Sequence, residues 1–255
     1  MISTVDPEAR HTRKSPEARR DGYRAHVAAE PETGIITAEA LTQAAGTQNS
    51  DPGVAEQFVA ADADAGEVRE WYGDSAYGTG DLRGAIADAG HKAVIKPKPL
   101  TVAVDGGFSV DDFTVDEAAA TVTCPAGNTR PITKSRRVIF GALCRDCPLA
   151  ARCTTAKSGR TLELHEHDNL LRQARRDWTD KPDLRKKYRL NRPNVERAVS
   201  QIASRGGRRL KLRYRGSEKN HAWLARRTAG LNLRNLIDRG LTHTAGVWAL
   251  TPQTA

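Results

Sequence analysis

Residues 68–97 read VREWYGDSAYGTGDLRGAIADAGHKAVIKP, and this stretch decides the fold class. Val68 to Tyr72 is a short β-favouring run that ends in Gly73, Asp74, Ser75, Ala76, Tyr77 and Gly78. Thr79 or Asp81 can cap a helix over Leu82 to Ala89, which Gly90 closes. Lys92 to Ile95 then predicts another strand, stopped by Pro97 and Pro99. Strand, helix and strand in this order argue an α/β domain, with Asp74 at the C-terminal end of a strand, where an open sheet places its chemistry. An Asp before a Gly-containing turn is equally well read as a turn or cap residue.

Working outward, Gly22 to Ala29 alternates Tyr23, Ala25, Val27 and Ala29 against Arg24, His26 and Ala28. The turn residues of Pro31 to Gly34 separate this run from Ile35 to Leu41, which predicts a β-hairpin. Val54 to Ala65 has apolar residues at helical spacing, with Asp51 or Pro52 near its start. From Leu100 to about Lys157 the texture changes to glycines, short β-like runs at Thr114 to Val115 and Thr121 to Thr123, and cysteines. Helical character returns at Asn169 and lasts nearly to Leu241.

The chain has 255 residues, 28% of them charged, and its net charge of +9 hides a division. Residues 1–120 hold 11 Lys and Arg against 21 Asp and Glu, whereas residues 121–255 hold 29 against 10. A second half this basic points to a polyanion partner, nucleic acid being the commonest; the alternative is a solvated basic face on an ordinary enzyme. No run approaches the length of a membrane span, and the N-terminus carries no secretory pattern, so a cytoplasmic protein is expected.

All four cysteines, Cys124, Cys144, Cys147 and Cys153, fall within one short segment in the pattern C-x19-C-x2-C-x5-C. A C-x2-C pair lets two thiolates from one turn reach a single metal, and the other two can close a tetrahedron, as structural zinc requires. Unmetallated thiols are the alternative, and disulfides are disfavoured without a secretion signal. His165 and His167 are spare ligand candidates or ordinary surface histidines.

Residues 170–239 hold 21 Lys and Arg but only six acids. One of these, Glu196, precedes a stripe of Ala198, Val199, Ile202 and Ala203, a spacing that predicts a helix burying one face. Asn191 can cap that helix with Pro193 in its first turn, so Glu196 is expected near its N-terminus. There a carboxylate either complements the helix dipole and pairs with Arg192, or serves as a metal ligand with Arg192 and Arg197 contacting flanking phosphates. Farther on, GGRRLKLRYRG (206–216) alternates basic and apolar residues and predicts a strand or arm. Arg208, Arg209, Arg213, Arg215 and Lys219 suit a surface that tracks a DNA backbone, or else a solvated edge.

Together, STVDPEARHTRKS, DGYRAHVAAEPETG, GDSAYGTGDLR, TCPAGNTR, CRDCPLAARCT, YRLNRPNVERA, GGRRLKLRYRG and KNHAWLARRTAGLNLRNLI resemble bacterial insertion-sequence transposases of the DDE class, in their cysteine-containing subgroup. The resemblance implies an α/β catalytic core similar to ribonuclease H, in which two aspartates and a glutamate bind two Mg²⁺ or Mn²⁺ ions. It implies double-stranded DNA, both transposon ends and target, as partner, and it allows a homodimer as one assembly. Asp74 matches the second aspartate and Glu196 the glutamate. Tyr188 and Arg192 resemble the Tyr and Arg preceding that glutamate, although the spacing here, Y-x3-R-x3-E, is one residue longer between Tyr and Arg.

The first aspartate of such relatives lies in an Asp-Gly-Thr or Asp-Ser-Thr strand upstream of the DPEAR segment, and neither tripeptide occurs here. The resemblance thus places it before Met1, with Asp6, after the apolar run Ile2 to Val5, as a weak substitute. The expectation is a C-terminal portion lacking its first strand, with strand transfer severely impaired. Its divisions are a partial core at 1–99, a cysteine-rich insertion at 100–168, a basic helical region at 169–241 and a tail at 242–255. The rival expectations are a non-catalytic DNA-binding or regulatory fragment, and a nuclease of the same fold.

Overall fold

A computed structural model describes residues 5–13, 19–64, 66–205 and 207–250. The expected apolar run at Ile2 to Val5 therefore lies outside the described residues except for Val5, as do Ser3, Thr4, Lys14 and Ser15 of the STVDPEARHTRKS segment.

Three antiparallel strands come first, β1 (Arg10–Arg13), β2 (Arg19–Ala29) and β3 (Ile36–Gln43). The predicted hairpin is β2 with β3, in a register running from Tyr23 opposite Gln43 to Ala29 opposite Ile36. Helix α1 (Asp51–Asp62) follows, its Ser50 cap accepting from the Gly53 N–H at 3.3 Å and Pro52 in its first turn. Strand β4 (Glu70–Gly73), helix α2 (Gly80–Asp88) and strand β5 (Lys92–Ile95) form the expected parallel unit, β4 pairing with β5 from Glu70–Lys92 to Gly73–Ile95. Thr79, rather than Asp81, caps α2, accepting from the Leu82 N–H at 3.4 Å. Val59, Leu82, Ile86 and Ile95 bury the interface between the two helices and β5.

The cysteine-bearing segment has its own core. Strands β6 (Thr114–Asp116), β7 (Thr121–Thr123) and β8 (Thr129–Pro131) form one antiparallel sheet. Strand β9 (Arg137–Ile139), helix α3 (Ala150–Cys153) and strand β10 (Thr161–Glu163) follow, β9 pairing with β10. Phe113, Val122, Val138, Phe140, Cys153, Leu162 and Leu164 are its buried residues.

Helix α4 (Asp168–Asp180) leads into α5 (Pro182–Ala203). Asp168 and Arg172 are both buried, with Arg172 Nε 2.5 Å from Asp168 Oδ2. The remaining guanidinium nitrogens donate to the Phe113 and Val110 carbonyls at 2.9 and 2.8 Å, so this pair fastens α4 to the cysteine-bearing segment. After α5 the chain makes two short strands, β11 (Ser204–Arg205) and β12 (Arg208–Arg209), an irregular stretch, and then α6 (Ser217–Asp238). Residues 241–250, of which 242 onward was expected as a tail, form a hairpin of β13 (Leu241–Thr244) and β14 (Val247–Leu250); 251–255 lie outside the described residues. Ile36 on β3, Ala198 and Ile202 on α5 and Leu224 on α6 make the third buried cluster.

The helix expected to start at Asn191 begins instead at Pro182, and Pro193 lies inside it. Proline at a first helical turn costs no backbone bond, which suits Pro182. Pro193 removes one interior bond, but burial of Tyr188, Ala198 and Ile202 on either side keeps the helix continuous. Glu196 therefore lies well inside α5, beyond the reach of the positive end of its dipole.

Candidate functional site

Asp74 follows directly on the last residue of β4 and caps the short 3-10 turn Ser75–Tyr77, accepting from the Ala76 N–H at 2.8 Å. The cap and the site residue are thus the same carboxylate, and its second oxygen remains for another partner. Nearby, Tyr77 is pushed up to about 12 by burial and by the charges of Asp51 and Asp74.

Helix α5 brings the other carboxylate across. Lys187 binds Glu70 of β4 with Nζ–Oε1 of 2.6 Å, and the Asn194 amide donates to the Pro31 carbonyl, between β2 and β3, at 2.6 Å. These two ties set the helix over both sheets. Between them, Arg192 Nη2 stands 2.9 Å from Glu196 Oε1 and 4.0 Å from Asp74 Oδ2. One guanidinium thus faces two carboxylates far apart in sequence, and all three side chains are partly open to solvent.

Tyr188 is buried rather than displayed, its ring in an edge contact with Trp178 at 5.1 Å and its face 5.9 Å from the Arg192 guanidinium carbon. Its ring thus lies against the arginine. Desolvation lowers the Arg192 guanidinium, but Tyr188, Glu196 and Asp74 outweigh it and leave it above its usual value. Arg197 lies exposed one residue beyond Glu196, its Nη1 3.3 Å from Asn194 Oδ1.

Asp6 serves elsewhere. Its carboxylate accepts from Tyr23 Oη at 2.9 Å and from the Gly216 N–H at 3.3 Å, while Glu8 accepts from the Ser217 N–H at 2.9 Å. The pair caps α6. Among the described residues no group of three or more His, Cys, Asp or Glu is arranged to hold a metal ion. That holds for Asp74 and Glu196 with Asp6, and for the cysteines as they stand.

The predicted basic strand is a bridge of only two residue pairs, Ser204–Arg209 and Arg205–Arg208, followed by irregular chain; Gly206 lies outside the described residues. Arg208, Arg213 and Arg215 are exposed, as is Lys219 at the start of α6; of Arg209 only the backbone is described. Asn220, buried at 0% exposure, holds this arm: its amide donates to the Tyr214 and Gly216 carbonyls at 2.8 Å each and its oxygen accepts from the Tyr214 N–H at 3.3 Å.

His165 and His167 stack at 5.7 Å between ring centroids and lie on α2, where a Cβ on Gly80 or Gly84 would meet their rings at 2.3 and 2.4 Å. His165 Nε2 is 3.2 Å from Asp81 Oδ1. They join the cysteine-bearing segment to the α/β unit and lie away from the cysteines' cavity.

Sequence patterns missed the positioning residues Lys187, Asn194 and Asn220. Their only signal was a polar residue among helical positions, which solvent-facing residues share.

Two carboxylates around one guanidinium, and exposed arginines on the arm that follows α5, are the charged groups of this candidate site. Residues 123–237, from β7 to the last turn of α6, are similar to the family described as Transposase DDE domain. No curated protein and no solved structure matches the chain. The match includes Arg192 and Glu196, whereas Asp74 lies before it.

Proposed function

We propose that this chain acts on double-stranded DNA as a transposase, with Asp74 and Glu196 supplying carboxylate ligands to Mg²⁺ or Mn²⁺ within a core similar to ribonuclease H. The observation that carries this is Arg192, whose guanidinium approaches both carboxylates and marks a position where positive charge is favoured. The donor set fits a hard divalent cation, since Asp74 and Glu196 offer oxygen and, among the described residues, no histidine or cysteine completes a group of three with them. When bound, such ions activate the attacking oxygen and stabilise the leaving one in phosphodiester displacement.

The chain's own contribution is positioning. Arg192, held from below by Tyr188, and Arg197 flank the carboxylates and would grip the phosphates beside the reacting one. Arg208, Arg209, Arg213, Arg215 and Lys219 would follow the DNA backbone, a sequence-independent contact that weakens with salt.

A second reading, DNA binding without cleavage, is favoured by one observation: among the described residues no third carboxylate joins Asp74 and Glu196. The test is to incubate the full chain with duplexes drawn from the DNA flanking its own coding sequence, with Mg²⁺ or Mn²⁺. Nicking or joining that Asp74→Asn and Glu196→Gln abolish supports the transposase. Salt-sensitive binding without cleavage supports the second reading, and no binding even at low salt sinks both.

A further inference from the structure

The four cysteines arrive from three separate pieces of backbone. Cys124 opens the turn between β7 and β8, where its N–H donates to the Asn128 carbonyl at 2.9 Å and its carbonyl accepts from the Gly127 N–H at 2.8 Å. Gly127 has φ of +82°, the left-handed conformation such a turn needs and glycine adopts without strain. Cys144 and Cys147 bracket a second turn closed by the Cys147 N–H on the Cys144 carbonyl at 3.4 Å, and Cys153 ends α3. All four are free thiols and line one cavity, whose walls include Phe108, Phe113, Phe140 and Arg160.

Two further facts bear on what the cavity takes. The backbone N–H of Arg160 points at Cys144 Sγ from 3.4 Å, a donor placed to stabilise a thiolate. The surrounding unit is also thin: its five strands have three residues each, and seven buried residues form its core. Units with so little core commonly depend on a disulfide or a metal.

We propose that Cys124, Cys144, Cys147 and Cys153 bind one zinc ion as four thiolates, fastening the β7–β8 turn, the C-x2-C turn and α3 to one another. The thiols must rotate inward to do so, since no three stand gathered around a point already. Four sulfur donors are the set that selects zinc over Mg²⁺, and two short turns plus a helix end can present them from different sides. This site is independent of the Asp74–Glu196 proposal, because zinc retention requires no DNA.

The experiment uses the full chain purified under reducing conditions without chelator. Elemental analysis should find about one zinc per chain, and exchange for Co²⁺ should give the absorption of a tetrahedral thiolate site. Thiol titration of the folded protein should find its four cysteines protected while zinc is bound and reactive after chelation. Cys124→Ser and Cys153→Ser should each lose the ion. Should those variants fail to fold, chelation of the unaltered protein should lower its unfolding midpoint and added Zn²⁺ restore it. Folded protein with all four thiols reactive, no bound zinc after Zn²⁺ is supplied and no cobalt–thiolate band would overturn the proposal. So would a mass showing that the cysteines pair as disulfides in the folded chain whether or not zinc is supplied.

Discussion

Arg192 and Glu196 form an ion pair of 2.9 Å one turn apart on α5, and the same guanidinium nitrogen lies 4.0 Å from Asp74. A fixed cation on both carboxylates competes with a divalent ion for them. Exposed pairs of this kind contribute about 0–1 kcal/mol, so Arg192→Ala should tighten Mn²⁺ binding by up to about fivefold. Mn²⁺ titration followed by electron paramagnetic resonance checks this; weaker binding in the variant would mean that the arginine helps build the site.

The Arg172–Asp168 pair is buried, and removing one partner strands the other. Arg172→Met should destabilise the chain by about 3–5 kcal/mol, and adding Asp168→Leu should recover much of that loss. Urea unfolding of both variants measures the difference. An Arg172→Met effect below about 1 kcal/mol would show that the charges are better hydrated than their burial indicates.

Asn220 fixes the basic arm without carrying charge. Asn220→Ala removes the hydrogen bonds of a buried amide to the Tyr214 and Gly216 carbonyls and should cost about 1–3 kcal/mol. DNA affinity should fall while its dependence on salt concentration stays unchanged. Arg213→Gln, in contrast, should reduce the slope of log affinity against log salt by roughly 0.9 where that side chain meets a phosphate. Fluorescence anisotropy over a salt series separates the two.

Asp51 has a carboxyl held below its ordinary 3.8, chiefly by His26 and also by Arg24, against the effect of burial. His26 is buried, with Nδ1 3.3 Å from Asp51 Oδ1. A depressed carboxyl contributes stability that is complete above its unfolded value and lost as pH falls through the folded one. Asp51→Asn should therefore flatten the decline in thermal midpoint below about pH 3.8 and remove the pair's contribution at neutral pH. Parallel acid limbs in the two proteins would deny the linkage.

The α/β unit from β4 to β5 was legible because its signals are local. Tyr72 to Gly78 ends a strand, Thr79 caps a helix, Gly90 closes it and Pro97 stops the next strand, each within a few residues of what it controls. The start of α5 was not legible for the opposite reason. Asn191 and Pro193 form a plausible local N-terminus, yet burial of Tyr188, Ala198 and Ile202 carries the helix from Pro182 through both. Tyr188 read as a DNA contact from its motif; its packing against Trp178 and Arg192 depends on tertiary contacts that no motif encodes.

Residue order by itself determined that a strand, a helix and a strand follow one another between about Val68 and Ile95 and that basic charge belongs to the second half, and it nominated Asp74 and Glu196 as the carboxylates to follow. Capping, turn chemistry and charge are properties of near neighbours. Only the tertiary structure decided that Arg192 faces both carboxylates, that Asp6 caps α6, and that four cysteines share a cavity. Those outcomes rest on Lys187 with Glu70, Asn194 with Pro31 and Asp6 with Gly216, contacts between residues far apart in the chain that no local periodicity encodes.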